Sequence, residues 1–279
     1  MIKVSICCIT YNHAPFIRQC LDGFLMQQCD FEYEILIHDD ASTDGTIQII
    51  HEYVEKYPRI IKPIIQKENQ YSKGVRGFNF LYNFPRAKGV YLAICEGDDC
   101  WIDPNKLNRQ VSLLDKHPEL SFCSHNVSRI DQSGAIIQQV VSNDQISFYK
   151  PRDVFREFFP TLSLVFRNVK FDYGGELKYA FNGDAVLVAL LANYGGGCHM
   201  GFEGAYYRVH TGGVFSTGSY AENSIKSLIT RVLLRDSGKI TGGQLNALKN
   251  EISRRKIKII KHALKKLNFK LIINVLKIK

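Results

Sequence analysis

Short apolar runs and helical stripes alternate along the first 120 residues. Val4-Ser5-Ile6-Cys7-Cys8-Ile9 is an apolar run with one small polar member, the pattern of a strand buried on both faces. Phe16, Ile17, Cys20, Leu21, Phe24 and Leu25 then recur at three- and four-residue spacings and predict a helix. Tyr33 to His38 predicts a second strand, and Ile47, Ile50 and Val54 mark a second helix over Thr46 to Tyr57. Ile60 to Gln66 predicts a third strand, which Pro63 confines to an edge or a bulge. Val90 to Cys95 predicts a fourth, and Leu107, Gln110, Val111 and Leu114 a helix that stops before Pro118. Such alternation predicts parallel strands joined by crossover helices. Beyond Leu120 the pattern is irregular, with a hairpin near Ser133-Gly134, helices around Val154 and Ala185, and a flexible loop at Gly195-Gly196-Gly197. The reading is an α/β first half and a mixed second half.

Composition narrows the class. The 279 residues are 45% hydrophobic and 23% charged, ordinary for a soluble globular protein with a sizeable core, in one large domain or two small ones. No apolar stretch approaches the roughly 20 residues a membrane span needs. The first strand is too short for a signal-peptide core, and no small-residue cleavage site follows it, so a cytoplasmic location is expected. The eight cysteines include no Cys-x-x-Cys pair; Cys7, Cys8 and Cys95 lie in apolar runs and read as reduced, structural thiols.

The net charge of +9 belongs to the C-terminus. From Lys249 to Lys279 there are eleven Lys/Arg and one acid, which leaves the rest of the chain close to neutral. Ile260, Leu264, Leu267, Leu271, Val275 and Ile278 form one helical stripe there, with lysines on the other faces. A basic amphipathic helix of this kind serves either an anionic membrane surface or ordinary packing with a solvated lysine face. Nucleic acid is not expected as a partner, because no aromatic platform or recognised module accompanies the charge.

In an open parallel sheet, ligands collect beyond the carboxyl ends of the strands. Thr10-Tyr11-Asn12 follows the first strand, Asp39-Asp40-Ala41-Ser42-Thr43-Asp44-Gly45-Thr46 the second, and Glu96-Gly97-Asp98-Asp99 the fourth. No Gly-x-Gly-x-x-Gly and no Walker-type loop is present, which disfavours dinucleotide cofactors and ordinary kinases. The Asp39 to Gly45 segment fits a turn and helix cap as well as a binding loop. Adjacent carboxylates such as Asp98-Asp99 repel unless a cation compensates them. Oxygen ligands suit Mg2+ or Mn2+, which in turn binds a diphosphate. Asp184, before the apolar run Ala185 to Leu191, reads as an N-cap on its own, and His210 as a structural histidine.

Taken together and in order, these segments resemble glycosyltransferase family 2. The resemblance runs through Val4-Ser5-Ile6 with Thr10-Tyr11-Asn12, the Asp39 to Thr46 segment, and Glu96-Gly97-Asp98-Asp99-Cys100-Trp101 with Asp103-Pro104-Asn105-Lys106-Leu107. It continues at Gly183-Asp184 and at Tyr207-Arg208-Val209-His210-Thr211-Gly212-Gly213, a block similar to bacterial enzymes that build surface polysaccharides. It implies a GT-A fold, a Rossmann-like mixed sheet with flanking helices, over residues 1–240, with a nucleotide-binding half to 120 and an acceptor-side half from 121. A basic helical region, 241–279, follows.

The resemblance also implies roles. Thr10, Tyr11, Asn12, Asp39 and Asp40 would form the nucleotide site, with Asp40 accepting from a uracil-type N–H. Arg76 and Asn79 would contact the nucleotide or its phosphates, Asp98 the ribose and metal, and Asp99 the Mn2+ or Mg2+ directly. His210 would complete the metal site, Asp184 would be the catalytic base, and Trp101 either an acceptor contact or a packing residue. Glu96 stands where the family often has Asp. The implied activity is inverting transfer from a UDP-linked sugar to a glycan or lipid-linked acceptor, with a possible peripheral membrane contact through the tail. Two alternatives are a sugar nucleotidyltransferase, which needs a Gly-rich basic loop that Thr10 to Pro15 does not supply, and a silent scaffold, against which intact Asp98, Asp99 and Asp184 argue.

Overall fold

In the computed structural model, which describes residues 1–213, 219–266 and 268–278, one mixed sheet organises the chain. Strands β1 (Val4–Thr10), β2 (Tyr33–Asp39), β3 (Ile61–Ile65) and β4 (Tyr91–Glu96) pair in parallel in the order β3-β2-β1-β4. Helices α1 (Ile17–Leu25) and α2 (Thr46–Lys56) make the first two crossovers. Pro63 sits on the edge strand, as its missing N–H requires. Residues Thr10 and Asp39 are register partners, as are Ile9 and Glu96, so the three polar segments leave the sheet at one level.

The second half extends this sheet rather than forming another. After β5 (Cys100–Trp101) and α3 (Lys106–Lys116) come β6 (Leu120–Ile130), β7 (Ile136–Gln138), β8 (Ile146–Tyr149) and β9 (Val165–Arg167). Helix α4 (Gly183–Leu191), β10 (Gly196–Arg208), and helices α5 (Tyr220–Asp236), α6 (Gly242–Lys265) and α7 (Phe269–Lys277) complete the order. Strand β9 bridges β4 and β6 antiparallel, and β10 pairs with β6 in parallel and β5 antiparallel. The β6–β7 hairpin turns at Gly134, whose φ of 92° is the left-handed conformation glycine tolerates. The helix expected near Val154 is only a short 3-10 turn, Val154–Arg156.

Three expectations change. Gly195-Gly196-Gly197 is no flexible loop: it leads into β10, where Gly196 and Gly197 are buried. A Cβ at Gly195 would lie 2.4 Å from the Glu119 carbonyl, at Gly196 2.5 Å from that of Tyr149, and at Gly197 2.2 Å from the Phe122 ring. Glycine is there for close strand approach.

Trp101 is a core residue, 2% exposed, and so unable to touch an acceptor. Its Nε1 donates to the Leu162 carbonyl at 2.9 Å, its ring packs edge-on against Phe24, and the Lys106 ammonium lies 3.9 Å from the ring centroid.

The single tail stripe divides between two helices. Ile259 and Ala263 of α6 and Leu271 and Val275 of α7 are buried, whereas Leu264 is exposed and Ile260 and Ile278 are half-buried; Leu267 lies outside the described residues. Helix α6 packs on α5 and α7 on α6. Among the described residues no helix is long and apolar enough to cross a membrane. All eight cysteines are free, seven of them buried.

Candidate functional site

The loops after β1 and β2 are stitched together by side chains. Asn12 Oδ1 accepts from the Thr43 N–H at 2.8 Å, and the Asn12 N–H donates to Ser42 Oγ at 2.8 Å. Asp44 takes the Ala14 N–H at 3.0 Å and the Thr46 hydroxyl at 2.6 Å. Among the described residues only Asn12 (φ 53°) and Ala41 (φ 63°) hold a left-handed backbone without being glycine, and both lie in these loops. Strained conformations of this kind gather where a site over-determines the backbone. Gly97 lets the third loop approach, since a Cβ there would lie 2.7 Å from Thr10 Oγ1. That hydroxyl is buried with no hydrogen-bond partner, as is His13 Nδ1.

At the meeting point stands Asp98. His210 Nε2 lies 3.0 Å from its Oδ2 and His13 Nε2 3.7 Å away, and the three candidate ligand atoms fall within 4.8 Å of one another. Burial works to raise the Asp98 pKa, but the His210 hydrogen bond and the charges of His13 and His210 outweigh it and hold the carboxyl low. Burial lowers His13, against the pull of Asp98. An ionised carboxylate facing two imidazole nitrogens is a donor set that fits a divalent cation.

Asp99 is not in that set. Only 3% exposed, it accepts the Arg208 N–H at 2.8 Å, and burial, then the Asp98 and Glu96 charges, raises its pKa well above the carboxylate range. The two neighbours thus divide: Asp98 meets His13 and His210, while Asp99 ties the turn to β10. Arg208, buried, donates its Nε to the Asp98 carbonyl at 2.9 Å and lies over the Phe16 ring, which brings His210 in from the end of β10. Glu96 is pushed up to about 8 by burial, then by the charges of Asp98 and Asp184.

Asp39 is likewise structural. Fully buried, its two oxygens take the Ser42 N–H (2.8 Å) and hydroxyl (2.5 Å), the turn-and-cap alternative. Asp40 holds the next segment, accepting from the Gln70 and Tyr71 amides at 2.8 and 2.9 Å, which leaves each oxygen one lone pair. Arg76 lies 3.6 Å from the Tyr71 ring centroid and donates to the Tyr71 and Val75 carbonyls. Asn79 Oδ1 accepts from Asn83, which also donates to the Cys8 carbonyl. Tyr11, 43% exposed, stands at the mouth of the β1 loop.

Asp184, in the first turn of α4, lines a cavity of about 470 Å³ together with Phe155, Phe158, Arg231 and Arg255. Burial raises its pKa, opposed by the Ala185 amide and the Arg231 charge. Asp98 and His210, both singled out by the sequence motifs, lie side by side, whereas His13, Arg208 and the two cavity arginines carry no role in the sequence reading. His13 follows Thr10-Tyr11-Asn12 directly, so its place after β1 was the available signal; the arginines lie on helices with no motif around them.

A family model described as Glycosyl transferase family 2 matches residues 5–170. An uncharacterized protein of Mycobacterium tuberculosis (Rv1520) is 48% identical over 132 residues, 47% of this chain and 37% of the relative. The matched part thus spans just over a third of that relative's length. By fold, the chain is similar to S. aureus TarS 1-349 in complex with UDP-GlcNAc (TM-score 0.62, 16% identity, 98% of this chain and 90% of that one). It is also similar to the mannosyltransferase PcManGT of Pyrobaculum calidifontis in complex with GDP-Man and Mn2+ (TM-score 0.55, 17% identity, 97% and 80%). Both likenesses concern the fold, the GT-A type implied by the sequence motifs.

Proposed function

The chain belongs to glycosyl transferase family 2, and from that premise we propose that it moves a sugar from a nucleoside-diphosphate donor, UDP-linked, to a hydroxyl of a glycan or lipid-linked acceptor with inversion at the anomeric carbon. The observation that carries the reading is the convergence of His13, Asp98 and His210 at the carboxyl edge of the parallel strands. TarS and PcManGT, two of its fold neighbours, were each solved with a nucleotide sugar bound.

Asp98, His210 and His13 would hold the divalent cation, and the two imidazoles favour a first-row transition ion such as Mn2+ over Mg2+. When bound, it supplies charge neutralisation for the departing diphosphate. Thr10, Tyr11 and Asn12 form the wall for the nucleotide, and Asp40 offers its remaining lone pairs to a base N–H. Asp184 accepts the proton of the acceptor hydroxyl as that oxygen attacks from the face opposite the leaving group, so configuration inverts in one displacement.

Calorimetry with UDP, dTDP, GDP, CDP and ADP, with and without Mn2+, tests the donor site. UDP is expected to bind best, in a Mn2+-dependent manner, and Asp98→Ala to remove the Mn2+ enhancement. Asp99→Ala is expected instead to lower thermal stability through the loss of its bond to Arg208, about 1–3 kcal/mol for a buried donor left unsatisfied. Equal nucleotide affinity with and without metal in both wild type and Asp98→Ala would remove the metal-assisted reading.

The C-terminal helices fit a peripheral membrane contact beside a lipid-linked acceptor. Exposed Ile273 and Leu276 share α7 with Lys270 and Lys277, the amphipathic combination that anionic surfaces attract. Co-sedimentation with anionic vesicles is expected for wild type and reduced for Lys270→Glu/Lys277→Glu. Identical partitioning of the two proteins would rule the contact out.

A further inference from the structure

The cavity that Asp184 lines holds a positive charge the proposed reaction leaves unused. Arg231, 8% exposed, donates through Nη1 to the Ser227 carbonyl (3.1 Å) and Ser227 Oγ (2.7 Å). Arg255 Nη1 donates to the same Oγ at 3.3 Å, so two guanidiniums converge on one neutral oxygen. Arg255 is compensated: its Nε lies 2.6 Å from Glu251, which also takes Arg254 at 2.7 Å. Among the described residues no carboxylate lies within 4.0 Å of Arg231; Glu251, already shared by Arg254 and Arg255, and Asp184 attract it from farther off. The other acids at the cavity are Asp184, whose burial disfavours its charge, and Glu157 at the exposed rim.

Arg231, Arg254 and Arg255 thus share the one buried carboxylate of Glu251, an excess of positive charge whose cost falls when a bound anion supplies the missing charge. The guanidinium fork matches the two oxygens of a phosphate or carboxylate. Part of the wall is apolar, from Phe155, Phe159 and Val188, and Phe158 stands 75% exposed. An exposed aromatic face beside a polar pocket suits the C–H face of a sugar ring.

We infer that this cavity is the acceptor pocket and takes an acceptor carrying an oxyanion, phosphate or carboxylate, beside the hydroxyl to be glycosylated. The inference rests on Asp184 as the base, because that carboxyl lines the same cavity. Neutral acceptors would leave the excess positive charge of the arginines unbalanced and bind more weakly.

The test is binding of inorganic phosphate, glycerol 3-phosphate and glucuronate to the full chain in EDTA at fixed ionic strength, with glucose as the neutral control. Wild type is expected to bind at least one of the anions and not glucose. Arg231→Gln is expected to weaken that binding about tenfold or more, the scale of a lost charged hydrogen bond, and Arg231→Lys to weaken it less. Arg254→Gln, which removes an exposed charge paired to Glu251, is expected to leave it unchanged. Preference for the phosphates or for glucuronate, lost in Arg231→Gln, names the oxyanion. Equal anion affinity in wild type and Arg231→Gln overturns the inference, because the anion then binds elsewhere, as on the basic tail. Absence of anion binding by wild type also overturns it. UDP binding with Mn2+, measured on aliquots of the same proteins without EDTA, reports separately on folding and on the donor site: its loss with anion binding intact would sink the donor reading and leave the pocket standing.

Discussion

Asp184→Asn is expected to cut sugar transfer by about 10²- to 10⁴-fold, the usual range for a general base, while nucleotide affinity stays close to wild type. Asn keeps the shape and the capping contacts of the α4 N-terminus but cannot take a proton. The pH profile offers a second reading of the same group. Burial raises the Asp184 pKa, so the carboxyl loses its proton at higher pH than an ordinary aspartate, and kcat/KM is expected to climb through that raised value. The Arg231 charge lowers the same pKa, so Arg231→Gln is expected to move the rising limb to higher pH. Product formation measured by single-turnover assay across pH settles both points. Near-normal turnover by Asp184→Asn would show that another group is the base.

Lys106→Met is expected to change the pH dependence of stability by a few kcal/mol. Lys106 is fully buried, and burial lowers its pKa from 10.5 to about 7. The unfolded chain therefore binds more protons between about pH 7 and pH 10.5, and stability rises with pH across that window. Below it the side chain is charged in both states and the burial penalty is present in full; above it the penalty is gone. Each tenfold loss of proton affinity corresponds to about 1.4 kcal/mol, so the full penalty is several kcal/mol. Methionine removes it but leaves Gln110 Oε1 without its donor, a cost of about 1–3 kcal/mol. Urea denaturation at pH 7 and pH 10 should show Lys106→Met gaining on wild type at the lower pH and losing that advantage at the higher. Parallel slopes for the two proteins would mean that Lys106 is neutralised in some other way. Its purpose is structural: ammonium, Trp101 ring and Gln110 join α3 to β6 under the acidic turn, with Gln110 Nε2 donating to the Cys123 and Ser163 carbonyls.

The amino-acid sequence by itself determined the parallel half of the sheet, because hydrophobic period and loop chemistry are local properties. The runs at Val4, Tyr33, Ile60 and Val90 became adjacent strands within a residue or two of the expected bounds, and Pro63 marked the edge. The ordered motifs also single out Asp98 and His210, which the fold places side by side. What the sequence could not determine is which way each side chain of a polar turn faces. Asp98 and Asp99 are chemically identical neighbours, yet one meets His13 and His210 and the other closes on the Arg208 amide. Asp39 and Asp40 divide in the same way, one into its own turn and the other into the Gln70–Tyr71 backbone. Trp101 stays open between acceptor contact and packing, and the three glycines at 195–197 read as a flexible loop, because their partners come from distant α1, α3, β6 and β8. Arg231 and Arg255, on α5 and α6, meet only when those helices pack. Pairings between residues far apart along the chain leave no periodic trace, so only the tertiary structure decides them.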